Sequence, residues 1–117
     1  DQTEALVKNI VEGLQKKKGK NIVTVDLTQL SGSICQYMII CEGSTPTQVS
    51  ALSDSAWDFA HRKAGEKPLS IDGAQRAEWI GMDYGTVLCT HIFTELREFY
   101  NLENLGQMPS DSDVDLD

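Results

Sequence analysis

A chain of 117 residues, 40% hydrophobic and 24% charged, has the size and composition of one ordinary globular domain with its own core. Its formal net charge of -8 argues against a protein that holds nucleic acid by the phosphates, because such binding needs clustered Lys and Arg. A basic protein partner suits that charge better. No apolar run of about 18 residues is present to span a membrane, no signal peptide is recognisable, and three scattered cysteines predict reduced thiols.

The first predicted element is an amphipathic helix over residues 3–18, whose apolar side chains recur at helical spacing. Thr3 is its expected N-cap and Gly19 its expected stop. The lysines among residues 16–20 suit the negative end of the helix dipole. Contact between these lysines and RNA phosphate is the less favoured alternative.

Two apolar strands are predicted next. Residues 21–27 show little polar alternation, which indicates a strand that is central or covered on both faces. Residues 28–33 form a connector, with Leu30 as its expected apolar anchor. Residues 36–41 are a second, nearly continuous apolar strand.

A second helix is predicted over residues 45–64. Thr45 is placed to cap it, Pro46 occupies the first helical position, and Gln48 is spaced to close a capping box. Gly65 is the expected stop. The predicted core stripe consists of Val49, Leu52, Ala56, Phe59 and Ala60.

Residues 78–93 predict a β-hairpin, because two runs of aromatic, aliphatic and β-branched residues flank a turn at residues 83–86. Side chains alternate across a strand, so Trp79, Gly81 and Asp83 share one face. That face puts a tryptophan above a glycine and a carboxylate, with a flat bare patch of backbone beside the ring, as on a surface that meets a partner. The opposite face, suited to the core, carries Ile80, Met82 and Tyr84.

The remaining segments complete a single α/β domain. A short helix is expected over residues 95–100 with a frayed continuation over 102–105, and the acidic tail at 107–117 is expected to be disordered because it has little apolar surface to bury. A strand near residues 69–72 is the uncertain member of the sheet. The order of elements predicts a mixed sheet of four or five strands flanked by helices.

One enzymatic interpretation starts from the turn at residues 43–44, which joins a strand to a helix as in a nucleotidyltransferase. That chemistry needs two or three carboxylates close together to hold two metal ions. Only Asp83 is placed on the later hairpin, while Asp26 and Asp72 lie at loop edges. A metal-dependent nucleotidyltransferase-like enzyme is therefore the alternative and not the leading hypothesis.

Other chemistry has less support. Cys89 and His91 share a strand face, but the spacing leaves roughly 6–7 Å between their Cβ atoms, which favours a buried cysteine and a satisfied sheet histidine over a reactive pair. The histidines and cysteines lack zinc-ligand spacing, and no glycine-rich phosphate loop is present. Binding, with Trp79 as anchor, is better supported than catalysis.

Several motifs in a fixed order resemble the ribosomal silencing factor family, also called Iojap, over residues 4–105. The chain departs from the usual family pattern at Gln36, Thr86 and Gly106. The resembling segments are Leu30-Ser31, Tyr37 to Ser44, Gln48-Val49, Glu78-Trp79, Met82 to Gly85, His91 to Phe93 and Arg97 to Glu103.

The resemblance implies a nucleotidyltransferase-like fold that has lost catalysis and needs no cofactor or metal. It implies a family domain over residues 1–106 and binding to the large ribosomal subunit through that subunit's interface protein number fourteen. Such binding sterically blocks the small subunit and represses translation when nutrients are scarce. By position, Trp79, Asp83 and Tyr84 fall in the motif assigned to docking.

The same resemblance implies a homodimer when the protein is free. Sequence-specific nucleic-acid binding and membrane attachment are not expected. The absence of an Arg/Ser-rich transit segment favours the bacterial cytoplasm over an organelle.

Overall fold

Two helices and one five-stranded sheet make up the computed structural model, which describes residues 1–75 and 78–94. The predicted short helix at 95–100, its continuation and the tail at 107–117 lie outside the described residues. The elements are α1 (Gln2–Lys16), β1 (Lys20–Asp26), β2 (Tyr37–Gly43), α2 (Pro46–Ala64), β3 (Ser70–Asp72), β4 (Trp79–Asp83) and β5 (Val87–Phe93).

The strand order is β1-β2-β5-β4-β3. The central pair β2 and β5 is parallel, and the other neighbouring pairs are antiparallel. The predicted mixed α/β sheet is therefore confirmed, and the uncertain fifth strand is present as β3. In the part of the chain that the structure describes, neither helix is long and apolar enough to cross a membrane.

Both helices pack on one face of the sheet and share its main core. The predicted apolar stripe of α2 is buried, as are the inward-facing residues of α1. From the sheet, this core receives Ile39, Cys41, Ile80, Met82, Val87 and Cys89. The opposite face of the sheet carries a smaller buried cluster of Leu27, Cys35, Met38 and Ile40.

The connector is anchored differently from the prediction. Leu30 is 42% exposed, whereas Leu27 and Cys35 are buried against the smaller cluster. Leu27 continues the ladder of β1, because its N–H donates to the carbonyl oxygen of Gln36 at 2.8 Å. The anchor therefore lies where the strand ends and not in the middle of the connector.

Of the two alternatives for the first strand, the central position is wrong, because β1 lies at the edge of the sheet. Its apolar residues make contacts on both faces, since Ile22 packs against the main core and Val25 against the smaller cluster. Apolar residues on both faces of a strand thus did not require a neighbour on both sides.

The helix ends agree with the sequence in α2 and differ in α1. Thr45 caps α2, accepting a hydrogen bond from the Gln48 N–H at 3.0 Å, and Gly65 ends it with a φ of 68°. In α1 the cap is Asp1, which accepts from the Thr3 N–H at 2.8 Å, so the prediction of Thr3 as cap is wrong. The left-handed residue after α1 is Lys18 and not Gly19.

The candidate functional features lie at two opposite ends of the strands, which are the carboxyl edge and the amino edge of the sheet. The carboxyl edge is where the parallel strands β2 and β5 end, at Gly43 and Phe93, and β4 begins there at Trp79. The amino edge is where β2 and β5 begin. Asp26 and Asp83, at the ends of β1 and β4, lie at the amino edge.

Candidate functional site

The predicted hairpin is present as β4 and β5, with Trp79 at its start on the carboxyl edge. The Trp79 side chain is half-buried because its ring lies over Gly81. A Cβ atom added to Gly81 would sit 3.1 Å from the ring's Cη2 atom. The expected bare patch of backbone is therefore wrong, since the indole covers it and Gly81 is buried.

Gly73 also lies against the same tryptophan. Its φ of 82° lies in the left-handed region that favours glycine, and a Cβ there would collide with the Trp79 carbonyl oxygen and lie 2.9 Å from the ring's Cε3 atom. Two close backbone approaches thus fix the indole. The result is a rigid aromatic surface at one corner of the sheet.

Asp83 shares the face of Trp79 and is exposed at the far end of β4. Four residues of strand separate the two, about 13 Å at the usual rise. One carboxylate oxygen of Asp83 accepts a hydrogen bond from the Gly85 N–H at 2.7 Å, and Gly85 has a φ of 87°. The carboxylate therefore also shapes the hairpin turn.

Tyr84 lies in the main core, on the face of Ile80 and Met82, as one of the two sequence interpretations allowed. Only 7% of the residue is exposed, and its hydroxyl has no hydrogen-bond partner among the described residues. Burial raises the pKa of this hydroxyl above its ordinary value. The structure thus brings Trp79 and Asp83 to one face and turns Tyr84 away from it.

Cys89 and His91 are closer than their spacing suggested. The Cys89 Sγ atom lies 2.7 Å from the His91 Nε2 atom, and both residues are fully buried. Burial raises the pKa of the thiol and lowers that of the imidazole to about 4, so both groups are neutral near pH 7. The His91 Nδ1 atom has no partner among the described residues, so the expectation of a fully satisfied histidine is wrong.

The residues of the nucleotidyltransferase alternative are not brought together. Gly43 and Ser44 lie at the carboxyl edge, whereas Asp26 and Asp83 lie at the amino edge, about 20 Å away along the strands. The Asp26 carboxylate accepts hydrogen bonds from the backbone and hydroxyl of Thr28. Among residues 1–75 and 78–94, no group of three potential metal ligands is present.

A groove at the amino edge was not predicted. It has a volume of about 500 Å³ and lies between the connector and the hairpin turn. Ile34, on its wall, is 69% exposed. The sequence signal was an isoleucine inside a polar connector, which taken alone is an ordinary surface residue.

The chain is similar to known proteins over nearly its whole length. The profile of the family described as "Ribosomal silencing factor during starvation" matches residues 1–117. A ribosomal silencing factor of Haemophilus influenzae is 38% identical over 86% of this chain and 97% of its own length. One from Chromobacterium violaceum is 32% identical over 93% of this chain and 89% of its own length.

Solved structures give the same result for the fold. A crystal structure of a protein from Chromobacterium violaceum superposes with a TM-score of 0.82 at 32% identity, covering 94% of this chain and 91% of that one. A protein from Bacillus halodurans gives a TM-score of 0.76 at 25% identity, covering 87% and 93%. These matches confirm the resemblance in the sequence: the chain belongs to the ribosomal silencing factor family.

Proposed function

We propose that this protein binds the large ribosomal subunit, through interface protein number fourteen, and thereby keeps the small subunit from joining. Family membership supports a regulatory role in ribosome silencing. The finer steps, namely the partner, the steric block and repression during nutrient limitation, are the proposal. Its place of action is the bacterial cytoplasm, and it needs no catalysis.

The observation that carries the proposal is the fixed indole of Trp79. Large aromatic side chains dominate binding energy at protein interfaces, and a ring already held in place loses little conformational freedom on binding. Gly81 and Gly73 hold this ring against the sheet while part of it faces solvent. Asp83, on the same face, offers a charge to a basic partner. Tyr84 contributes by supporting the hairpin from the core side.

Co-sedimentation with purified large subunits, with small subunits added as competitor, tests this function. The unchanged chain is expected to pellet with large subunits and to reduce the formation of whole ribosomes. Trp79→Ala is expected to weaken binding by about 2 kcal/mol or more. Trp57→Ala is the matched control, because Trp57 is also half-buried but lies on α2, where its ring is tilted by 46° against that of His61 at 5.0 Å between centroids.

Thermal unfolding of both variants separates lost binding from lost folding. If the Trp79→Ala variant and the unchanged chain bind large subunits equally well, the face that carries Trp79 is not the binding surface. No binding by the unchanged chain would remove the proposed function itself. Sedimentation of the free protein tests the accompanying proposal that it dimerises through the Trp79 face, since Trp79→Ala is then expected to leave a monomer.

A further inference from the structure

The amino edge carries an unusual share of exposed apolar surface. Of the four large apolar side chains that are exposed in the described part of the chain, Leu30, Ile34 and Leu69 lie in segments that end at this edge. Ile34 is 69% exposed and Leu69 is 76% exposed. Apolar side chains that gather on one side of a small domain, and are rimmed by polar groups, mark an interaction surface.

A groove lined by one of these side chains, Ile34, is already shaped at this edge. Its wall and floor are tied together by backbone hydrogen bonds, because the N–H groups of Gln36 and Tyr37 both donate to the Thr86 carbonyl oxygen, at 2.8 and 3.1 Å. The Ser33 hydroxyl donates to the Leu27 carbonyl oxygen at 3.3 Å. The lining residues are Leu27, Thr28, Ser33, Ile34, Cys35, Gln36, Gly85 and Thr86.

Leu69 extends the apolar wall on the β3 side. Its N–H donates to the Asp83 carbonyl oxygen at 2.7 Å, which holds the segment against the end of β4. A Cβ atom on Gly85 would lie 3.4 Å from the Leu69 Cδ1 atom, so the leucine rests against the hairpin turn. Ile34 and Leu69 therefore border the same turn, one on each side.

The charge at this edge is negative. Asp83 lies close enough to the groove to help raise the pKa of Cys35, after the larger effect of burial. Asp26, at the end of β1, is exposed and directly precedes the lining residues Leu27 and Thr28. No lysine or arginine lines the groove. Carboxylates beside the groove repel phosphate and attract cationic side chains.

We propose that the groove at the amino edge binds a basic segment of a protein on the large ribosomal subunit. An apolar side chain of that segment lies between Ile34 and Leu69, and a lysine or arginine faces Asp83 or Asp26. The proposal rests on the proposed function and adds a second contact at the end of the hairpin opposite Trp79. The two carboxylates favour a basic protein segment over ribosomal RNA as the occupant.

The double variant Ile34→Ser/Leu69→Ser tests the groove in the same co-sedimentation assay. Both side chains are mostly in solvent, so their loss is expected to spare folding and to lower affinity about tenfold or more. Ile71→Ser is the matched control, because Ile71 is 44% exposed but pairs with Met82, farther along β3. Unchanged affinity of the double variant, beside weaker binding by Trp79→Ala, would overturn the groove and leave the proposed function standing.

Photo-cross-linking identifies the occupant. A benzoylphenylalanine introduced at position 34 is expected to cross-link to a basic protein of the large subunit, and one at position 15, on the exposed side of α1, is not. Cross-linking to ribosomal RNA, or equal cross-linking from both positions, would overturn the assignment. Absence of any binding by the unchanged chain would remove both this inference and the proposed function.

Discussion

Cys89 and His91 show how burial decides the role of a residue pair that elsewhere serves catalysis. A thiol and an imidazole at 2.7 Å form a nucleophile and base only when one of them ionises and a substrate can reach them. Here both are fully buried, and the shifts in pKa favour the neutral form of each. Burial therefore keeps the pair neutral and out of reach of solvent.

The same burial predicts a loss of stability in mild acid. The folded protein holds His91 with a pKa of about 4, against 6.5 for the ordinary side chain, so the unfolded chain binds the proton more readily. Stability is therefore expected to fall as the pH drops from 6.5 to 4, by about 3 kcal/mol in all. Denaturant titrations at several pH values measure this change.

One variant separates His91 from the other titrating groups. His91→Leu is expected to flatten the curve between pH 6.5 and 4, because it removes the buried imidazole. Carboxylates such as Asp26, whose pKa is lowered by its bonds to Thr28, act at lower pH. A steep loss that persists in His91→Leu would contradict this origin.

Asp83 has two roles that two substitutions can separate. Its side chain accepts the Gly85 N–H bond and also places a charge at the amino edge. Asp83→Asn keeps the acceptor and removes the charge, so it is expected to fold normally, bind large subunits more weakly and reduce the salt dependence of binding. Asp83→Ala is expected to lose about 1 kcal/mol of stability as well. Salt-dependent binding that is identical for the Asn variant and the unchanged chain would discard the charge role.

At the residue scale, the sequence predicted the ends of α2 correctly and those of α1 wrongly. Thr45 and Gly65 were identified because a cap or a left-handed stop depends on local chemistry. The Cys89–His91 contact was not predicted, because it depends on side-chain torsions that a pattern of residue types does not contain.

At the scale of elements, Gln48 joins the two helices. It was predicted to close a capping box with Thr45, but its Oε1 atom accepts from the N–H of Ser44, one residue earlier, at 2.7 Å. Its Nε2 atom donates to the carbonyl oxygens of Lys17 and Lys18, each at 3.2 Å. The end of α1 and the start of α2 meet at the carboxyl edge, so the side-chain amide of Gln48 makes hydrogen bonds to both helix ends.

The hydrogen bonds from Gln48 also hold Lys18 in an unfavourable backbone conformation. Lys18 has a φ of 60°, a conformation that costs a residue with a side chain roughly 1 kcal/mol. Gln48→Ala is expected to lower the free energy of unfolding by about 1–2 kcal/mol, because the bonds at both helix ends are lost. Gln48→Glu, which keeps the acceptor and lacks the donors, separates the two ends in the same denaturant titration.

Thr47→Ala is the control for both Gln48 variants, because Thr47 is exposed in the same helical turn. If Gln48→Glu is as stable as the unchanged chain, the bonds to Lys17 and Lys18 contribute nothing to folding.

The wrong prediction of β1 as a central strand also belongs to the scale of elements. Strand patterns report which faces are covered, whereas the order of strands depends on contacts far apart in the sequence.

At the scale of the whole molecule, the two candidate contact sites for a partner lie at opposite ends of the sheet. Trp79 lies at the carboxyl edge and the groove beside Asp83 at the amino edge, so a partner that reaches both must extend along the length of β4. Two separated contacts fix orientation as well as position. A domain held in one orientation is suited to a steric block, because its remaining bulk then occupies a defined space.

The parallel pairing at the centre of the sheet has a consequence for how the chain matures. Tyr37 pairs with Val87, about 50 residues later, so β2 lacks its inner neighbour until β5 has been made. Closing so long a loop is entropically costly and slows folding. The hairpin that carries Trp79 is also made after β2 and α2. A nascent chain emerging from the ribosome therefore lacks its proposed docking face until β5 has been made, which separates the making of the factor from its action.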